Sequence, residues 1–121
     1  MDEPAVELLL YQTKDRKLQM EVVLLEDSIW LTQKQMARLF QTTKQNVSLH
    51  IHAIFKGWET QAAKLWRILP ETAADGRHYE TLYYNLDVII SVCDRMRSQP
   101  GAHFRAWAAR QVRKATREKQ S

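Results

Sequence analysis

The sequence predicts an α+β fold in one domain, and three observations predict it. Two stretches pair apolar runs on either side of a polar turn, two amphipathic patterns stand almost end to end between them, and two further helical patterns close the chain. At 121 residues, 45% hydrophobic and 26% charged, the chain fits one globular unit with a modest core.

"ELLLYQT", "KDRK" and "LQMEVVLLE" predict a first hairpin over 7–27, with Leu18, Met20, Val22 and Leu24 alternating onto one face. Asp27 and Ser28 interrupt it, and Ile29, Trp30 and Leu31 lead into "LTQKQMARLFQTTKQNVSLHI". There Thr32 and Gln35 stand three apart, the spacing of a capping box, and Leu31 and Met36 sit where a hydrophobic staple would. A helix follows with an inner face of Met36, Ala37, Leu39 and Phe40, and the small Ala37 lets a second helix cross closely. Gln41 and Thr42 leave room only for a tight turn. Thr43 caps the second helix, in which Val47, Ile51, Ile54 and Phe55 recur at helical spacing. Two helices joined so tightly form a helix-turn-helix, here over 32–56.

"KLWRILPET", "AADG" and "RHYETLYYN" predict a second hairpin over 64–84, with Asp75 and Gly76 at its turn and Pro70 confining its first strand to a sheet edge. Asn85 caps a helix over 86–97 that is apolar on two sides, through Leu86, Ile89, Ile90 and Cys93 and through Val88, Val92 and Met96, and is therefore central. "QPG" ends it, because Pro100 and Gly101 punctuate helices. The last helix, over 102–118, packs through Phe104, Trp107, Ala108 and Val112 and is cationic at its end. The expected whole is one domain over 1–121: a helix-turn-helix flanked by two β-hairpins, winged-helix-like, with two C-terminal helices.

Charge is segregated along the chain. Residues 1–27 and 59–94 are net acidic; residues 28–58 carry Lys34, Arg38, Lys44 and Lys56 with no acid, and residues 95–121 carry eight bases against Glu118 alone. Clustered cations suit a polyanion, whose counterions they displace, but such faces can also simply be solvated. Charge alone leaves both readings open. The single Cys93 closes no internal disulfide, no apolar run approaches the ~20 residues of a membrane span, and the acidic "MDEPAVELLLY" does not read as a secretory signal. A cytoplasmic protein without membrane contact is expected.

The polar face of the second helix gives the charge a use. A helix-turn-helix can lay its second helix in a DNA major groove. Gln45 can pair with adenine at two atoms, Lys44 can reach guanine or phosphate, Ser48 can bond either, Leu49 can touch a thymine methyl, and His52 points the same way. Thr43 heads the helix, whose positively polarised start suits a phosphate. Lys34, Arg38 and Lys56 flank this face as phosphate contacts, and Arg110, Arg113, Lys114 and Arg117 would grip a neighbouring backbone or reach a second subunit's site. One module covers little DNA, so a homodimer fits.

Other constellations read more plainly. His50 and His52 do not share a helix face, so His50 reads as a partly buried packing residue, and His78 and His103 have no Cys or carboxylate at ligand spacing; no metal, cofactor or small-molecule substrate is expected. Trp30, Trp58, Trp66 and Trp107 with Tyr79, Tyr83 and Tyr84 could stack on bases, but packing is the simpler use. There is no Gly-rich phosphate loop, no nucleophile in a recognisable setting and no paired carboxylates, so an enzyme is not expected.

"YQTKDRKLQMEV", "IWLTQKQMARLF", "HIHAIF", "TAADGR", "YYNLDVIISV" and "FRAWA" follow one another in an order that resembles the RhuM family of bacterial and prophage proteins, from about Leu10 to Val112. The stretch from "VIISV" to "FRAWAARQV" is more faintly similar to the amino-terminal domain of Bro proteins of large viruses and phages. The resemblance implies a virulence-associated DNA-binding protein. Leu31, Thr32, Gln33, Met36, Ala37, Leu39, Phe40, His50, Ile51, Ile54 and Phe55 match the family's helix-turn-helix region, mostly at positions that hold the fold. Two departures stand out: Gln41 and Cys93 occupy positions where relatives usually have Gly, so the turn at Gln41 needs either a non-Gly residue with positive φ or a different shape.

The function expected from the residues and the resemblance together is sequence-specific binding of double-stranded DNA by a transcription regulator. The alternative is an oligomerisation module or adaptor of a toxin- or virulence-associated system.

Overall fold

The computed structural model describes residues 6–57, 62–72 and 75–120. Strand β1 (Glu7–Gln12) pairs antiparallel with β2 (Gln19–Leu25), Tyr11 opposite Met20 and Leu9 opposite Val22. The "KDRK" turn is fastened by its own side chains: Asp15 Oδ1 accepts from the Thr13 hydroxyl at 2.7 Å and from the Lys17 amide at 3.0 Å, and Arg16 takes φ 63°. These bonds, that of the Lys17 amide first, hold the Asp15 carboxyl below its ordinary pKa.

The expected first hairpin ends at Asp27. The structure instead turns the chain there, and Ser28–Thr32 forms a third strand, β3, with Leu25 opposite Ser28 and Val23 opposite Trp30. Glu26 and Asp27 make the two-residue turn with φ 51° and 60°, the positive pair that matches the twist of a hairpin. Neither is Gly or Asn, so the turn carries no familiar signature. The Trp30 indole donates to the Leu25 carbonyl at 2.9 Å and locks the strand in place.

β3 then joins the two expected hairpins into one sheet. A helical turn, α3 (Ala62–Leu65), replaces the expected start of the second hairpin, whose strands are β4 (Trp66–Thr72) and β5 (His78–Tyr84). Gly76 supplies φ 84° at their turn, where Asp75 Oδ1 accepts from the Arg77 amide. β5 meets β3 through Leu31 opposite Tyr84 and Thr32 opposite Tyr83, so the described strands form an antiparallel sheet in the order β1-β2-β3-β5-β4. Pro70 is on the edge strand, as its missing N–H requires.

The remaining helices are α1 (Gln33–Leu39), α2 (Lys44–Gly57), α4 (Leu86–Met96) and α5 (Gln99–Gln120). Tyr11, Met20, Val22, Ile29, Leu31 and Tyr84 form the strand side of the main core; Met36, Val47, Val88, Val92 and Phe104 are among the helical residues buried against them. The other side of the sheet holds a smaller cluster made of strand residues alone, Val23, Leu25, Trp30 and Tyr83 with Leu69. Arg67 closes it, its guanidinium 5.9 Å from the Trp30 ring centroid and bonded to both Glu26 carboxylate oxygens at 2.9 and 3.0 Å. From Val22 to Leu25 β2 is thus covered on both faces, which one-face alternation does not anticipate.

The α4 helix ends at Met96, within a residue of the expected end, on Arg97 in the left-handed conformation, but "QPG" opens α5 and does not separate the two helices. Ser98 Oγ accepts from the Gly101 amide at 3.1 Å and its carbonyl from Ala102, so Ser98 is an N-cap and Pro100 lies in the first turn, where no N–H is needed. Gly101 is required for closeness: a Cβ there would stand 2.6 Å from Cys93 Sγ and 2.8 Å from Phe40 Cε1. Burial pushes the Cys93 thiol up, Asp94 adds to this, and Arg105 opposes it.

Candidate nucleic-acid interface

The two short helices are set by their ends. Thr32 Oγ1 accepts from the Gln35 amide and the Gln35 side chain accepts from the Thr32 amide, a complete capping box. Gln35 also donates to the Glu21 carbonyl at 2.7 Å, tying α1 to β2. At the other end Gln41 takes the left-handed conformation, φ 57°, while the Thr42 amide bonds the Ala37 carbonyl at 2.9 Å and the Gln41 amide that of Arg38. That double closure is the usual glycine C-terminal motif, built here on glutamine. Thr43 Oγ1 then caps α2 by accepting from Asn46 at 3.0 Å.

α2 buries Val47, Ile51 and Ile54 and packs beside α1 and α4, with the Phe55 ring 5.9 Å from that of Tyr84. Its other side faces outward: Thr43, Lys44, Gln45, His52 and Lys56 are exposed, Ser48 is half-buried, and Leu49 is 69% exposed. The expected base-reading side chains therefore share an open helical face. Lys34 and Arg38 are exposed on α1. His50 is half-buried, and its Nδ1 accepts from Arg95 Nε at 3.1 Å, which draws a base of α4 alongside α2.

Folding brings up neighbours that the linear charge blocks do not show. Lys34 and Lys44 line a cleft of about 460 Å³ with Glu71, Tyr79 and Thr81 of the β4–β5 hairpin, so a carboxylate stands beside the acid-free segment. Arg38 lines another, of about 590 Å³, with Lys14 and Lys17 of the first turn and His103 of α5. The only hint of Lys14 and Lys17 in the sequence is "KDRK", read there as a turn. His103 Nδ1 is bonded to the Tyr11 hydroxyl at 2.6 Å, and burial pushes that phenol up.

Arg110, Arg113, Lys114 and Arg117 are exposed on the second half of α5. That half flanks a cleft formed by Glu7, Leu24, Glu26 and Asp27 with Ala115 and Glu118, beside β1 and β2, whereas α2 stands against β5. The two cationic stretches thus lie toward opposite sides of the strand order. Of the aromatic residues, Trp30, Tyr83 and Tyr84 are buried, Trp107 is half-buried, and Trp66 and Tyr79 are 38% and 48% exposed; Trp58 lies outside the described residues. Among the described residues no three His, Cys, Asp or Glu side chains converge to hold a metal, and no helix is long and apolar enough to cross a membrane.

A sequence profile of the Virulence protein RhuM family aligns with the β4–β5 hairpin, α4 and nearly all of α5. The match covers residues 63–118, just under half of the chain. The matched RhuM segment contains "YYNLDVIISV" and "FRAWA", the phrases that carry the resemblance; α1 and α2 lie before it. No curated protein and no solved structure matches the chain.

Proposed function

We propose that the protein binds double-stranded DNA sequence-specifically. In this reading α1 and α2 are a helix-turn-helix, the β4–β5 hairpin serves as a wing, and the molecule regulates transcription in the cytoplasm of a bacterium or from a prophage. The observation that carries it is the outer face of α2: Lys44, Gln45, Leu49 and His52 are all exposed along an element whose other side is fixed in the core. Rigid seating lets a side chain read one base edge reproducibly, and Lys, Gln and Ser are residue types that do so. Lys34, Arg38 and Lys56 supply flanking phosphate contacts. A homodimer on a two-fold symmetric site doubles the base pairs read.

Selection of bound duplexes from a random pool is the test, followed by salt-dependent binding of the selected site. Gln45→Ala and Lys44→Ala should each weaken the selected site by about 1–3 kcal/mol and relax preference at one position. Unchanged affinity of both variants for every duplex removes the groove assignment. Loss of binding on removing the α5 cations alone would instead mean attachment without sequence reading.

A further inference from the structure

The sheet has two edges, and they are finished differently. On β4, Pro70 offers no N–H to another strand, and Arg67 and Glu71 add charge. Among the described residues β1 has no such protection. From Leu8 to Tyr11 it carries no charged side chain, and Leu8 and Leu10 are 58% and 62% exposed on the side away from the helices, with Val6 beyond them at 49%. An open edge strand with bare leucines is a template for another strand.

The charges at the two ends of β1 identify which strand fits. Beside Glu7 stand Asp27 and Glu118, and Glu26, which Arg67 already pairs within the chain. Around Tyr11 stand Lys14, Lys17 and Arg38, with Asp15 the one acid among them. A second β1 laid antiparallel sets the acidic end of each copy against the basic end of the other, so the edge complements itself at both ends.

We propose that two copies of the chain pair antiparallel through β1, centred on Leu9, to make one continuous sheet across a two-fold axis. In this register Leu8 faces the partner's Leu10, and Leu10 the partner's Leu8. A slip of two residues sets Leu8 against Gln12 one way and Leu9 against Glu7 the other. The register also fixes a distance. β5 is the fourth strand from the axis; at about 4.8 Å per strand it stands roughly 17 Å out. The Phe55 ends of the two α2 helices, held against β5, are then roughly 34 Å apart across the axis. The strand pairing does not rest on the DNA-binding reading.

Sedimentation of the full chain without DNA decides it. Strand pairing covers less than the ~1,200 Å² of a firm interface, so the dimer is sought at about 100 µM chain. The expected mass is twice 14.3 kDa, falling to one protomer on dilution. Leu8→Lys with Leu10→Lys sets like charges across the pair and should leave a monomer; both sites are exposed, so circular dichroism and the melting temperature, taken at a dilution where the parent is also a monomer, stay those of the parent. Leu8→Glu with Leu10→Lys sets opposite charges across the same pair and should restore the dimer. A parent chain that stays a monomer at 100 µM, or a dimer that persists with both lysines, overturns the pairing. Failure of the Glu–Lys chain to reassociate overturns the register. Gln45→Ala leaves sedimentation unchanged whichever way its DNA binding falls, so the two readings fail separately.

Discussion

The α2 and α5 helices are both cationic, yet they are anchored and exposed in different ways. α2 is held by Val47, Ile51 and Ile54 along its length, and its outer face mixes Lys44, Gln45, Ser48, Leu49 and His52. α5 is buried most deeply at its root, where Phe104 and Ala108 are fully buried; beyond it Val112 still packs on the core, and the exposed side of this half offers Arg110, Arg113, Lys114 and Arg117. Varied side chains on a fixed element can discriminate; a face of nearly uniform charge can only attract. The difference teaches that specificity and affinity are assigned to separate helices on the proposed reading, so they should be separable by mutation.

The largest effect breaks the anchor of α5. Phe104 is fully buried, its ring 4.9 Å from Tyr11 in an edge-on contact and 5.7 Å from Trp107. Phe104→Ala should cost about 3–5 kcal/mol, read as a shift of the denaturant midpoint. The loss falls on the whole fold, since Tyr11 joins β1 to the same cluster. A cost near zero would mean that α5 is not rooted in the core and that its difference from α2 is greater still.

Replacing Arg110, Arg113, Lys114 and Arg117 by Ala sharpens the comparison without touching the core. If all four face phosphates, the slope of log affinity against log salt should fall by roughly four, with the selected sequence preference unchanged. The folding midpoint should move little, because exposed charges contribute little to stability. A change of preferred sequence in this variant would assign base reading to α5 and undo the division of labour.

How much of this was legible in the sequence depends on whether the signal was local. The caps at Thr32, Thr43 and Asn85 were readable, because a cap is a spacing rule between near neighbours, and each hydroxyl or amide oxygen accepts the expected bond. The inward faces of α1, α2 and α4 followed from helical periodicity for the same reason. β3 was not legible, since its turn is Glu26–Asp27 and its pairing with β5 is long-range. Pro100 and Gly101 spell a break when taken alone, because their meaning depends on Ser98 as a cap and on the distant Phe40 as a neighbour. In the candidate site, the outward face of α2 was legible from the same periodicity. Glu71 beside Lys34 and Lys44, Lys14 and Lys17 beside Arg38, and Arg95 on His50 were not, because only the tertiary fold brings them together.

The smallest effect is a gain, and it concerns the turn that aims α2. Gln41 sits at φ 57°, where a Cβ crowds the following carbonyl and costs roughly 1–2 kcal/mol relative to the right-handed region. Glycine removes that crowding but is freer in the unfolded chain, which returns part of the gain. Gln41→Gly should therefore stabilise by about 0.5–1 kcal/mol, seen as a small rise in melting temperature. The carbonyls of Ala37 and Arg38 are bonded by backbone amides that glycine retains, so the crossing of α1 and α2 is preserved. DNA preference should be unchanged, since the outer face of α2 keeps its orientation. Gln41 also lines the cleft beside Arg38, Lys17 and His103, so a loss of DNA affinity at unchanged preference would place its amide on a phosphate. A loss of stability would show that the side chain of Gln41, and not only its backbone, holds the turn.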